Sequence, residues 1–363
     1  MMQKVKTIFI ASGGTGGHIF PGLLLAKRMK NDFKIYFVGN VKGMEYEIIK
    51  RYGYEFLPIP SYGFVGKSPL EKMKSVLYNF TSLLWSMRYI KMYGPEFIIG
   101  TGSFTELPVG FAAKLMKVPV YITEQDSYPG IATRLLSLIA NRVFLSYETS
   151  GKLLKRRDNV SVIGTISEIV TVGKTKDQIK SELGISRGMK IVFVFGGSRG
   201  AKALNKAVTE MIKSGLPGDI FVIWQTGKNN FDEIKKVMGD TEFNGIILPF
   251  VYNMPEIYTI ADLVVARAGA CTLAELSDYR KAAILVPFPF AAHNHQMKNA
   301  RYYEKRGAAI VIDEKEINAE LLKKQIIRLI YNSKKLAKMG ENSGKLHNPN
   351  AADTVVKAIL RSK

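Results

Sequence analysis

Only one cysteine, Cys271, occurs in 363 residues, so no disulfide closes within the chain and no cysteine-rich zinc site forms. Histidine is nearly as scarce, with four in all. The closest pair, His293 and His295, stands two apart with no cysteine nearby, which argues against a metal. No apolar run is long enough to span a bilayer. The opening Met-Met-Gln-Lys-Val-Lys leads straight into a strand and lacks the apolar core of a signal peptide. Neither G-x-G-x-x-G nor Gly-Lys-Ser/Thr follows the glycine-rich stretches, which disfavours a dinucleotide oxidoreductase and a P-loop. Acidic residues are also few: 31 Asp+Glu face 52 Lys+Arg, for a formal net charge of +21. Such a balance suits an acidic partner: a nucleic acid, an anionic membrane or a phosphorylated substrate. Residues 1–165 carry 22 basic against 11 acidic residues and the remainder 30 against 20. Charge spread over both halves, rather than clustered among exposed aromatics, speaks against a nucleic-acid binder.

What is present is glycine in two matching places. Thr7 to Ala11 is an apolar, β-branched run suited to a buried strand. Gly13-Gly14-Thr15-Gly16-Gly17-His18 follows, and an apolar helix is expected from about residue 20 to 31, with Pro21 near its first turn. Strand, glycine loop and helix N-terminus together aim backbone N–H groups at an anion. About 183 residues later the pattern returns: the strand Lys190 to Phe195, the loop Gly196-Gly197-Ser198-Arg199-Gly200, then a helix from Ala201. The chain is long for one core, and two similar halves account for it.

Strands are expected at Lys34–Gly39, Glu55–Ile59, Phe97–Gly100, Val118–Thr123, Arg142–Ser146 and Asn159–Gly164. In the second half they fall at Ile220–Gln225, Gly245–Leu248, Leu263–Ala266 and Ala283–Val286. Helices alternate with them, including long ones near 70–93 and 316–339 and a last one near 350–362. Repeating strand–helix units mean an α/β fold with parallel sheets covered on both faces. Ligands of such sheets bind beyond the C-terminal ends of the strands, where both glycine loops lie.

A third informative stretch is Ala261 to Glu275. A buried strand ends at Ala266, the loop Arg267–Cys271 follows, and a helix is expected from Thr272, its N-terminus suited to a diphosphate. Glu275 has two readings: the acidic member of a capping box with Thr272, or a carboxylate accepting both hydroxyls of a ribose. The turn Phe288 to Gln296 has a polar tip, Asn294 to Gln296, suited to sugar hydroxyls.

Gly13-Gly-Thr-Gly-Gly-His18, Gly196-Gly-Ser-Arg-Gly-Ala201, Arg267-Ala-Gly-Ala-Cys-Thr-Leu-Ala-Glu275 and His295-Gln296 with Asn299-Ala300 occur in this order. Together they resemble the MurG family of peptidoglycan glycosyltransferases, over nearly the whole chain. The resemblance implies a GT-B fold: two Rossmann-like, doubly wound domains with a cleft between them. The acceptor domain would span 1–164 and the UDP-sugar domain 165–340, with 341–363 a C-terminal helix returning to the first. It implies inverting transfer of N-acetylglucosamine from UDP-N-acetylglucosamine to an undecaprenyl-pyrophosphoryl-muramyl-pentapeptide. No cofactor and no metal are implied, and the setting is the cytoplasmic face of an anionic inner membrane. An epimerase of UDP-N-acetylglucosamine or a glycolipid glycosyltransferase is the alternative of the same fold.

Carried over residue by residue, Phe250 and Val251 lie beside uracil, Ser198 contacts the diphosphate, and Ala270, Cys271 and Thr272 offer N–H and hydroxyl groups to the phosphates. Glu275 holds the ribose, and His295 and Gln296 hold the sugar. Thr15, Gly16, Gly17, His18, Gly102 and Ser103 face the acceptor. His18 is the favoured general base, because imidazole titrates near neutrality; Glu124 is the second candidate, with Asp126 orienting a partner. The chain also departs from the family. Thr123-Glu124-Gln125-Asp126 stands where the family has His-Glu-Gln-Asn, and Thr165-Ile166-Ser167-Glu168 where it has Asn-Pro-Val-Arg. Gly100-Thr-Gly-Ser-Phe-Thr-Glu-Leu-Pro108 is likewise altered. The missing arginine leaves Arg199 and Arg267 as candidates to meet the donor phosphates.

Within Ser75 to Tyr93, the residues Val76, Leu77, Phe80, Leu84 and Met87 recur at helical spacing, with Lys67, Lys72, Lys74, Arg88 and Lys91 around them. A core-facing helix is the default reading. The alternative, favoured by Trp85, is an interfacial surface on anionic lipid.

Overall fold

The computed structural model describes residues 6–62, 69–197 and 200–362, apart from the side chains of 69–73. Ser198, Arg199 and Lys67, and the side chain of Lys72, therefore lie outside the described residues. The chain divides into two compact units, Met1–Glu168 with Asn348–Lys363, and Ile169–His347.

In the first unit the strands are β1 (Thr7–Ala11), β2 (Lys34–Gly39), β3 (Glu55–Pro58), β4 (Ile98–Gly100), β5 (Val120–Glu124), β6 (Arg142–Leu145) and β7 (Val160–Val162). They form one sheet in the order β3-β2-β1-β4-β5-β6-β7, and every pairing is parallel. In the second unit β8 (Lys190–Phe195), β9 (Ile220–Gln225), β10 (Gly245–Leu248), β11 (Leu263–Ala266), β12 (Ala282–Leu285) and β13 (Ala309–Val311) pair in parallel in the order β10-β9-β8-β11-β12-β13. The first six positions of the two sheets share one order, as the repeated glycine loop predicts. In each, the first strand lies between its second and fourth, so the strand order reverses there and a crevice opens at its C-terminal end.

Alternation along β1 sorts the core into two layers. Ile8 and Ile10 join one cluster with Leu23, Ala26 and Phe37; Phe9 and Ala11 join the other with Val38, Ile98 and Ile122. The helix Ala351–Arg361 belongs to the first cluster through Val355 and Ile359, so the end of the chain completes the first unit.

Several elements differ from expectation. The first helix begins at Gly16, not near residue 20, so Pro21 falls inside it and Gly16 and Gly17 form its first turn. Weak helix propensity of glycine hides that start in the sequence. The helix expected over 316–339 is two, Ala319–Ile330 and Ser333–Gly344, each opened by an asparagine whose side chain accepts a backbone N–H: Asn318 from Leu321 and Asn332 from Lys335. The short edge strand β13 is additional.

Candidate functional site

In the first unit the register sets Ala11 beside both Val38 and Gly100, so the loops after β1 and β4 are neighbours. Thr15 is the N-cap of the first helix, extended at φ −141°, and its side chain makes no capping bond. Helix geometry leaves the N–H groups of Gly16 and Gly17 without intrahelical acceptors, at the positive end of a 14-residue helix. The loop is pinned from below by buried Glu45, whose Oε2 accepts from Gly14 N–H at 3.3 Å and Oε1 from Asn40 N–H at 3.2 Å.

His18 Nδ1 lies 3.0 Å from the Thr101 carbonyl oxygen. A carbonyl only accepts, so Nδ1 carries the proton, and in the neutral ring the lone pair is on Nε2. The ring rests on Gly102, which has φ +91° and where a Cβ would stand 3.1 Å from Nδ1; only glycine suits both conditions. Ser103 is buried beside it, and its Oγ has no hydrogen-bond partner among the described residues.

Two carboxyl groups stand behind this loop. Glu106 Oε2 accepts from Gly102 N–H at 2.7 Å and Oε1 from the Thr133 hydroxyl at 3.3 Å. Glu124 accepts from Asp126 N–H and Gly130 N–H, both at 3.0 Å. Both side chains are buried. Burial pushes Glu124 up to about 7, with Asp126 adding repulsion, and pushes Glu106 up to about 8, with Glu124 adding its own. Glu124 thus anchors the 125–130 loop with both oxygens. Asp126 is only partly buried, its carbonyl accepting from Ser150 Oγ at 2.7 Å. Thr123, in place of the family's histidine, donates to the Gly100 carbonyl at 3.4 Å. Glu168, in place of the family's arginine, pairs with Lys27 at 2.7 Å and Arg28 at 3.5 Å, tying the end of the first helix to the segment after β7.

In the second unit β8 aligns Phe195 with Gln225 and Ala266. Gly200 has φ +80°, and a Cβ there would meet the Thr226 carbonyl at 2.1 Å, so the loop packs directly on backbone. Gln225, which no sequence motif marks out, is buried and bridges two loops: Nε2 donates to the Gly197 carbonyl at 3.2 Å and Oε1 accepts from Val251 N–H at 2.8 Å. The Val251 N–H is therefore engaged within the protein. Lys228 Nζ lies over the Phe250 ring at 5.7 Å.

The third helix of interest starts at Ala270, not Thr272, with Gly269 as N-cap. Ala270, Cys271 and Thr272 are its first three residues, and their N–H groups lack intrahelical acceptors. This start removes the capping-box reading of Glu275, now in the second turn. Glu275 Oε2 instead accepts from Tyr258 Oη at 2.8 Å. Burial pushes its carboxyl up to about 7, with Asp278 adding repulsion. Gln296 reaches the same helix end: Oε1 accepts from Phe288 N–H at 3.0 Å, and a Cβ on Gly269 would lie 4.0 Å from Nε2. His295 opens the next helix, its Nδ1 2.7 Å from the Ala292 carbonyl. Arg267 does not reach outward. It is buried, donates through Nη1 to the carbonyls of Val286 and Pro287 at 3.0 and 3.1 Å, and pairs with Glu314 through Nη2. It clamps β11 to the loop after β12 instead of presenting its charge to a ligand.

The helix Pro69–Tyr93 carries apolar residues on two faces: Leu83, Met87 and Ile90 pack on the core, while a second set lies outside. Ser82 and Ser86 are buried, donating to the carbonyls four residues earlier at 2.9 and 2.7 Å. Leu77 is 64% exposed, Phe80 60% and Val76 56%, with Leu84 and Trp85 also outside. Of the five apolar residues read as core-facing, Met87 alone packs inward. Arg88 stacks over Trp85 at 5.4 Å. Among the described residues no helix is long and apolar enough to cross a membrane.

Comparison with known proteins bears on these sites together. The glycosyltransferase family 28 N-terminal domain matches residues 8–145 and the family 28 C-terminal domain residues 191–355. The UDP-N-acetylglucosamine–N-acetylmuramyl-(pentapeptide) pyrophosphoryl-undecaprenol N-acetylglucosamine transferase of Thermodesulfovibrio yellowstonii is 37% identical, over 98% of this chain and 99% of the relative. That of Acetivibrio thermocellus is 35% identical over the same shares. The crystal structure of Acinetobacter baumannii MurG superposes with a TM-score of 0.78 at 27% identity, covering 98% of this chain and 99% of that one. A UDP-GlcNAc 2-epimerase from Neisseria meningitidis shares the fold, with a TM-score of 0.70 at 12% identity over 98% and 100% of the two chains. The two parallel-sheet units have the GT-B architecture, and the chain belongs to the MurG family of N-acetylglucosamine transferases.

Proposed function

We propose that this protein transfers N-acetylglucosamine from UDP-N-acetylglucosamine to a lipid-linked muramyl-pentapeptide, with inversion at the anomeric carbon. The observation that carries the reading is full-length identity of 37% to a relative named for that reaction. The epimerase likeness, at 12% identity, speaks to the fold alone. In the reaction the acceptor hydroxyl gives its proton to His18 Nε2 as its oxygen bonds the anomeric carbon and the bond to UDP breaks. The N–H groups of Ala270, Cys271 and Thr272 take up charge developing on the leaving diphosphate. The glycine-rich turn at Thr15, Gly16 and Gly17 does the same for the pyrophosphate of the acceptor. Glu275 accepts the ribose hydroxyls, and His295 and Gln296 hold the sugar. With Arg267 clamped internally, the role of the family's missing arginine falls to the loop containing Arg199. The exposed apolar stripe Val76–Trp85 and its cations form a membrane-facing surface, which brings the enzyme to the cytoplasmic leaflet where the acceptor lies.

The test is a donor panel. UDP-N-acetylglucosamine, UDP-glucose and UDP-galactose are offered with a lipid-linked muramyl acceptor, and transfer from the first alone is expected. Conversion of UDP-N-acetylglucosamine to its 2-epimer without acceptor would instead favour the epimerase reading.

Donor affinity is expected to fall as pH drops below about 7, where Glu275 takes a proton. The ionised carboxylate accepts two hydroxyls, whereas the acid form must donate from one oxygen. KM for the donor, measured from pH 6 to pH 9, therefore rises toward the acid side. Glu275→Gln is expected to raise KM about tenfold or more and to flatten that dependence. A KM that keeps its pH profile in the variant rejects the ribose role.

A further inference from the structure

One peptide plane in the first unit is held at both ends. The carbonyl of Thr101 accepts from His18 Nδ1 at 3.0 Å, and the N–H of the same peptide unit, on Gly102, donates to Glu106 Oε2 at 2.7 Å. Glu106 opens the helix Glu106–Leu115 and is 1% exposed. Its second oxygen is occupied by Thr133. A side chain at Gly100 would meet Oε2 at 2.4 Å, so β4 ends on a residue that leaves room for this carboxyl. The two hydrogen bonds lie in series through a polarisable amide, an arrangement in which each strengthens the other.

We infer that Glu106 is a positioning residue for His18: by fixing the Thr101–Gly102 peptide it aims the Thr101 carbonyl at Nδ1, locks the Nδ1–H tautomer and keeps the lone pair on Nε2. It is the counterpart of a carboxylate bonded directly to a catalytic imidazole, with one peptide interposed. Any alternative orientation of that peptide would expose Nδ1–H to an N–H instead of an oxygen and favour the other tautomer. The group acts as an acceptor rather than as a charge. Burial and the neighbouring Glu124 push Glu106 up to about 8, so near neutrality it grips Gly102 as the acid. An amide oxygen in the same place then serves equally well.

The inference rests on His18 being the base, but its first readout does not. With histidine labelled by 15N, long-range nitrogen–proton spectra of the full-length protein report the tautomer of each of the four rings, His18 being assigned by its loss in His18→Gln. Nδ1–H is expected for His18 in the wild type and in Glu106→Gln. A mixture or Nε2–H is expected in Glu106→Leu, which fills the space without an acceptor, and in Glu106→Asp, which is one methylene too short. In turnover, Glu106→Leu and Glu106→Asp are expected to lower kcat by about ten- to a hundredfold with donor KM unchanged, and Glu106→Gln to retain most of kcat. Should Glu106→Leu fail to fold, Glu106→Asp carries the comparison. A wild-type Nε2–H tautomer, or Nδ1–H persisting in folded Glu106→Leu or Glu106→Asp, overturns the inference. If the tautomer shifts as expected but His18→Gln turns over normally, the positioning stands and the assignment of the base fails.

Discussion

His18→Gln is expected to lower kcat by about 10²- to 10⁴-fold while leaving the donor KM within about twofold, because general-base assistance contributes on that scale. Glutamine is the informative replacement. Its amide N–H can still reach the Thr101 carbonyl that His18 Nδ1 meets at 3.0 Å, so the packing over Gly102 and a hydrogen bond to a phosphate oxygen both survive. What it cannot supply is a basic nitrogen. A loss of a hundredfold corresponds to about 2.7 kcal/mol of transition-state stabilisation and ten thousandfold to about 5.4. The acid limb of the kcat profile is expected to vanish with the imidazole. If the variant loses only a few-fold, and its pH profile matches the wild type, His18 is a ligand for the pyrophosphate and no more. Glu124 does not replace it in that event without rearrangement, since both of its oxygens accept backbone N–H groups and its side chain is 1% exposed.

The legible part of this molecule is the part governed by short stretches of chain. β1, β2, β8, β9 and β11 run between the residues where their apolar β-branched runs begin and end, because a parallel strand buried on both faces has few polar positions to blur it. The glycine loops are legible for the opposite reason: few local sequences tolerate positive φ. What does not appear in the sequence is which polar groups meet. Glu45 reaches back 31 residues to Gly14, and nothing around it distinguishes it from Glu47 on the same helix. Gln225 sits at the end of a strand and becomes a bridge only because β8 and β9 end together. Arg267 has the loop position of a phosphate ligand and is withdrawn by Glu314, 47 residues on, a pairing no local pattern encodes. Glu106 leaves a faint signal. An acidic residue at a helix start, four residues after the last glycine of Gly-Thr-Gly, is where a carboxylate finds exposed N–H groups. Helix starts are the hardest boundaries to read, and each one matters. Moving one by two residues, from Thr272 to Ala270, takes Glu275 out of a cap and leaves it against Tyr258.

Replacing Leu77, Phe80 and Leu84 together by serine is expected to weaken binding to anionic vesicles by about thirty- to a thousandfold. The three side chains are exposed and stand in one stripe of the helix Pro69–Tyr93. Each fully buried leucine or phenylalanine is worth about 1.5–3 kcal/mol, so even half-depth insertion of three gives about 2–4 kcal/mol, or some thirty- to a thousandfold. Serine removes that term without adding charge, so Lys74, Arg88 and Lys91 still draw the protein to the surface and what remains should be strongly salt-dependent. Because these side chains point away from the core, the melting temperature should hold or rise. Leu83, Met87, Ile90 and Tyr93, with buried Ser82 and Ser86, supply this helix's inward face instead of the stripe. Turnover of a short-chain, water-soluble acceptor is expected to be unchanged while turnover of the undecaprenyl acceptor in vesicles falls with binding. Equal vesicle binding by variant and wild type would mean that the stripe meets another protein surface, and that charge alone carries the enzyme to the membrane.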